Sequence, residues 1–272
     1  MLGESARAAD REALRAALGL DRPVAEQLVR YLGGLARLDL GQSLHSQRPI
    51  AELLAERIPA TAVLALASLA VAVVMAVPLG LLAAARRGRL ADHLAMGVAM
   101  LGVSIPNFVL GPVLVLVFAF WLGWVPVSGR EEPTALILPA VTLGSALAAI
   151  LSRMVRATVL EVLEEDYIRT ARAKGLGEVR LLVGHALGNA GLPLVTLLGL
   201  QLGTLLGGAV ITEMVFSWPG VGQLTIEAIQ RRDYPLLQGC VLLISVAYVG
   251  VNTLTDVAYG LLDPRVRLRS EP

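Results

Sequence analysis

The chain has a single cysteine, Cys240, which excludes an internal disulfide and a cysteine-based metal cluster. It also has a single lysine, Lys174, followed by Gly175. A Walker A phosphate loop needs Gly-Lys-Ser/Thr, so ATP cannot be bound and hydrolysed by that route. Three histidines, His45, His93 and His185, are scattered with no pair at ligand spacing, and no protein metal site or other cofactor is expected. Charge is scarce: 17% of the 272 residues, against about a quarter in soluble domains. The net charge of +1 offers no basic field for nucleic acid. Apolar residues are what the chain has in excess, at 56% hydrophobic with a mean hydropathy of +0.69. That composition belongs to the membrane class.

A bilayer core of about 30 Å needs about 20 apolar helical residues. The sequence predicts an all-α, polytopic protein with five membrane helices, at about 60–85, 94–122, 133–152, 188–212 and 236–260. The second contains Ser104-Ile105-Pro106-Asn107 and Pro112, so a kinked span is expected there, followed by a short exit loop. Orientation follows the bases. If the spans alternate, one side holds Arg86, Arg87, Arg89, six bases in the linker 153–187, and Arg265, Arg267 and Arg269 in the tail. The other side holds only Arg130, Arg231 and Arg232. Twelve bases against three make the linker and the tail 263–272 cytoplasmic.

Residues 1–57 then lie outside. They read as short helices: one from Asp10 to Leu18, one after Asp21-Arg22-Pro23 that ends at Gly33-Gly34, and an amphipathic one from Pro49 to Arg57. With eight arginines and eight acids, this segment does not cross a membrane easily without a leading helix. One further membrane helix upstream is therefore expected. Trp121, Trp124 and Trp218 fall near the outer interface, where aromatic belts anchor helices.

The cytoplasmic linker has helical periodicity through Val155, Val159, Leu163 and Tyr167, with Glu165 and Arg169 four apart. Ala171, Ala173 and Gly175 then form a small-residue patch, and Gly175 and Gly177 break the helix. Periodicity alone reads as a solvated surface linker or as a docking knob for a partner's groove. The residue order says more. "DYIRTARAKGLGEVRLLVGHALGNAGLPLVT" resembles the cytoplasmic loop of ABC-importer membrane subunits, and more narrowly that of the dipeptide/oligopeptide/nickel permease family. In the general pattern Glu-Ala-Ala is followed after three residues by Gly and later by Leu-Pro. Here Arg169-Thr170-Ala171 stands at the Glu-Ala-Ala position, Gly175 at the Gly, and Leu192-Pro193 at the Leu-Pro. The external segment before Thr61, the stretch "VFSWPGVGQLTIEAIQRRDYPLLQG" and the ending "LLDPRVR" resemble the same family, so the similarity covers essentially the whole chain.

The resemblance implies the type I ABC-importer transmembrane fold, with six membrane helices, of which this sequence would lack the first. It implies half of a translocation pathway, completed by a second permease subunit in the bilayer of a bacterial or archaeal inner membrane. Two separate ATPase subunits would supply energy, and an extracytoplasmic solute-binding protein would supply the solute. Asp166, Tyr167, Arg169, Thr170, Ala171, Arg172, Ala173, Lys174 and Gly175 would couple to the ATPase, and Leu192-Pro193 would return the loop. Glu213, Phe216, Trp218, Pro219 and Gly220 would form an outer gate or a contact for the binding protein. Two other readings compete. An intramembrane hydrolase needs a nucleophile with a base, and Ser104, Ser145 and Ser245 have no His or Lys at helical spacing within a span. A non-transport membrane scaffold would use the loop merely to bind a partner.

Overall fold

The structure, a computed structural model, describes residues 21–262, apart from the side chains at 192, 206–208, 259, 261 and 262. The expected helix from Asp10 to Leu18 and the tail 263–272 lie outside the described residues. Among these the protein is helical: α1 (Val24–Leu35), α2 (Ile50–Ala85), α3 (Leu90–Ser104), α4 (Asn107–Trp121), α5 (Pro133–Leu163), α6 (Asp166–Ala173), α7 (Glu178–Asn189), α8 (Gly191–Gly208), α9 (Val210–Val215), α10 (Val221–Gln230) and α11 (Tyr234–Leu262). Helices α2, α5 and α11 are each long and apolar enough to cross a membrane, and the bent pairs α3–α4 and α7–α8 bring the total to five if each is one span.

Helix boundaries depart from the sequence expectation in four places. The amphipathic helix expected from Pro49 to Arg57 and the span expected at 60–85 are one helix of 36 residues, which runs through Pro59 and Pro78. Proline removes one N–H bond each time, a loss that membrane helices absorb through their neighbours. The second span is not merely kinked: α3 and α4 meet at 101°. Ile105, ahead of Pro106, takes extended geometry (φ −98°, ψ 116°), because the proline ring disfavours α geometry in the residue before it. The third span does not stop at 152 but continues as helix to Leu163, so the first third or so of the linker is an extension of α5. The fourth gives way at Ala209 to the short α9.

Small residues hold the bundle together. The buried face of α2 carries Ala60, Ala65, Ala72, Ala76 and Ser68 and lies against α5. A Cβ on Gly80 would stand 2.6 Å from Val155, and one on Gly102 would stand 2.3 Å from the Ser145 carbonyl oxygen. Lipid tails are as apolar as leucine, so helices in a bilayer associate through such close backbone packing rather than through hydrophobic burial. A second cluster joins the start of α2 (Ile50, Leu54) to α10 and α11 (Val221, Leu224, Leu236, Cys240). Cys240 is a fully buried packing residue there, as its size suggests.

Candidate functional sites at the two ends of α2

The first candidate begins where α5 ends. Glu164 and Glu165 turn the chain, and Glu165 takes extended geometry (ψ 145°) as the residue before α6. That turn resets the helical register. Ile168, fully buried, is therefore the anchor of α6, while Tyr167 stays 43% exposed. The periodicity through Val155 and Val159 is buried as expected, but its extension to Tyr167 is corrected by the two-residue break. Arg169 likewise pairs with Asp166 at 3.2 Å, three residues back, rather than with Glu165. Both groups are exposed, and such a pair adds little stability.

The rest of α6 faces outward. Asp166, Arg169, Thr170, Arg172, Ala173, Lys174 and Gly175 are exposed, and Ala171 is half-buried. The helix ends in a Schellman motif: the Leu176 N–H donates to Ala171 O (3.3 Å) and the Gly175 N–H to Arg172 O (3.0 Å). Gly175 has φ +82°, the left-handed conformation this motif requires and glycine supplies without strain. Arg172 reaches Glu178 at 3.2 Å and ties the stop to α7. Pro193 sits in the first turn of α8, where its missing N–H has no partner to lose. The Leu192 side chain lies outside the described residues.

At the other end of α2, the second candidate is built around a buried acid. Glu213, on α9, is 0% exposed. Its Oε1 accepts from the Thr61 hydroxyl (2.7 Å) and its Oε2 from the Gln223 N–H (3.0 Å). The Gly222 N–H also donates to this carboxylate. The Thr61 hydroxyl in turn accepts the Val221 N–H (2.8 Å). The first three N–H groups of α10, which no helix can satisfy internally, thus end on Glu213 and on α2. Burial pushes the Glu213 carboxyl above its ordinary value near 4.5, and the bonds from Thr61, Gln223 and Gly222 offset only part of that shift.

The turn from α9 to α10 is equally fixed. Ser217 has φ +50°, and the Trp218 N–H returns to Glu213 O (2.8 Å). Trp218 is only 2% exposed and donates its indole N–H to Ala60 O (2.8 Å), so it is a buried brace rather than an interfacial anchor. Trp121 and Trp124 are the exposed ones. Arg130 stacks over the Trp218 ring at 5.8 Å, and the Gly129 N–H donates to Phe216 O (3.0 Å). Phe216 and Gly220 are buried as well, and Pro219 is half-buried. In this conformation the singled-out residues frame the loop from within, and Met214 and Ser217 are its exposed groups.

Sequence reasoning passed over two further clusters. Asp233, 1% exposed, accepts from the Ser43 hydroxyl (2.6 Å), from the Leu44 and His45 N–H groups (3.2 Å each) and from the Leu236 N–H at the start of α11 (3.3 Å). An Asp two residues before a proline that opens an apolar run is a readable N-cap signal. Burial raises this carboxyl, but the donors outweigh burial and hold it below its ordinary range. A depressed value stabilises the fold above the ordinary carboxylate range, and that contribution is lost as pH falls through the folded value. Asp233→Ala is expected to lower stability by about 1–2 kcal/mol, since the exposed His45 segment can rehydrate. Hydrogen exchange at Leu44 and His45 checks this, and Asp233→Asn should lose less protection. The other cluster is Asp92, in the first turn of α3, which pairs with Arg156 of α5.

Comparison with known proteins agrees with this architecture. Residues 76–268 match the family model described as "Binding-protein-dependent transport system inner membrane component". The chain is 42% identical to the Glutathione transport system permease protein GsiC of Escherichia coli (strain K12), over 95% of this chain and 84% of that protein. It is also 42% identical to the Dipeptide transport system permease protein DppB of Escherichia coli (strain K12), over 98% of this chain and 88% of that one. The inward-facing MetNI methionine ABC transporter shares the fold at a TM-score of 0.67, with 20% identity over 79% of this chain and 99% of the solved one. An amino acid ABC transporter with histidines matches at 0.57, with 14% identity, over 79% and 94% respectively. The chain belongs to the inner-membrane components of binding-protein-dependent transport systems, and it is a permease subunit of an ABC importer.

Proposed function

We propose that this permease forms half of the pathway of an importer for peptides or glutathione, paired with a second permease subunit and driven by two ATPase subunits that grip α6. The observation that carries the reading is the build of α6. It is a short, outward-facing helix with one buried anchor and a rigid glycine stop, joined to the spanning helix α5 by a two-residue turn. Closure of an ATPase dimer around such a knob displaces α5 as a lever, and the pathway then alternates its access. The two E. coli relatives, named for glutathione and for dipeptides, supply the substrate class. The chain has no Walker A lysine of its own, which supports an energy source on another subunit. The excess of bases around the 153–187 linker supports a cytoplasmic α6 and C-terminus. The Glu213–Trp218–Gly220 frame then lies outside and would hold the outer gate.

The test is reconstitution in proteoliposomes with the ATPase, second permease and binding-protein subunits. Labelled glutathione and a labelled dipeptide should accumulate only with ATP, and a Cys at Ala173 should cross-link to the ATPase. Uptake without ATPase subunits, or no cross-link from α6, overturns the reading.

A further inference from the structure

Helix α3 is tied to α5 at both of its ends. Near its far end the backbones of Gly102 and Ser145 are in contact. At its start Arg156 grips Asp92 with both arms of its fork: Nε donates to Oδ1 and Nη2 to Oδ2, each at 2.7 Å. The Gly88 N–H donates to the same carboxylate at 2.9 Å, so the α2–α3 turn is held in the same knot. The Asp92 side chain is 5% exposed and that of Arg156 31%. The neighbouring pair Arg87–Glu164, at 62% and 69%, contributes little by comparison.

Arg156 lies seven residues before the end of α5, which runs on through Glu164 and Glu165 into α6. Asp92 opens the helix that ends at the 101° corner into α4. A planar, two-point bond fixes rotation as well as distance between two helices, which a sliding apolar contact does not. Packing alone therefore gives no reason for this geometry, and apolar residues of like size would serve the contact as well.

We propose that the Asp92–Arg156 pair is the link that makes α3 and α4 follow α6 when the ATPase moves it, so that both are positioning residues for coupling. The inference rests on the assignment of α6 as the gripped segment. The experiment uses the complete reconstituted transporter, with spin-label pairs read with and without ATP plus vanadate. One pair (Arg86→Cys with Glu165→Cys, at the start of α6) reports on α6, and the other (Leu66→Cys with Val113→Cys) reports on α4. All four positions are exposed, and the native Cys240 is buried.

In the otherwise unchanged transporter both distances shift. In Arg156→Lys, which keeps the charge but not the fork, and in Asp92→Asn, the α6 shift and the thermal midpoint persist while the α4 shift is lost. The exchanged pair Asp92→Arg/Arg156→Asp restores the α4 shift. An α4 shift undiminished in Arg156→Lys overturns the proposal, as does joint loss of both shifts with a lowered midpoint. An α6 pair that never moves, even with the native ion pair, fails the ATPase-grip assignment instead.

Discussion

Gly175→Trp is expected to insert, fold and assemble, yet to reduce ATP-driven uptake to background. Two properties of the position combine. Its φ of +82° costs an L side chain about 1–2 kcal/mol, a modest loss at the exposed end of one short helix. The larger effect is steric but lies outside the chain. A Cβ at Gly175 meets nothing within 4 Å, so the side chain leaves the helix end into open space, which under the proposed docking is the space the ATPase approaches. Gly175→Asn is the control, because Asn tolerates left-handed geometry and is small. It should retain most uptake. Uptake, ATP hydrolysis and cross-linking from Ala173 are measured on the same proteoliposomes. Normal uptake by the tryptophan variant would refute docking through this end of the helix.

The contrast between α6 and the Glu213 cluster shows what a single sequence carries. Chain order alone placed the loop motif, because Arg169 to Gly175 lie within one helix and its stop, and a Schellman glycine is a local device. Pro106 was equally legible as a disruption, although not as a corner of 101°, since the angle depends on what α4 packs against. The register of α6 was misread at Tyr167 because a two-residue turn, invisible to periodicity, separates it from α5. Glu213 drew attention as an acid at the edge of a span, but its partner Thr61 is 152 residues away. Nothing in "IPATAV" marks that threonine as a bridging hydroxyl. Asp92 and Arg156, 64 residues apart, carry no mark of their pairing in chain order. Long-range polar pairs of this kind arise when helices fold together, and a hydropathy pattern does not encode them.

The Glu213 cluster carries the largest expected loss of stability. Glu213→Ala leaves the Thr61 hydroxyl and the Gly222 and Gln223 N–H groups without their acceptor in a site that is fully buried. At about 1–3 kcal/mol for each of the three stranded buried donors, the variant should lose roughly 3–9 kcal/mol, which a thermal melt in detergent reads directly. Glu213→Gln should lose much less, because one amide oxygen can still serve the α10 N–H groups. It should also lose a pH dependence. The native carboxyl is held above its ordinary value near 4.5, so its contribution is fullest below that value and declines as pH rises through the higher folded one. The glutamine variant has no such decline. Gly220 supplies a cycle that isolates the contact. A Cβ there would stand 2.1 Å from Oε1 of Glu213, and Gly220→Ala must push the carboxylate off its donors. In the Glu213→Ala background that obstruction is gone, so the same substitution should cost far less than it does alone. Additive losses would mean that Gly220 is constrained by something other than the acid it touches.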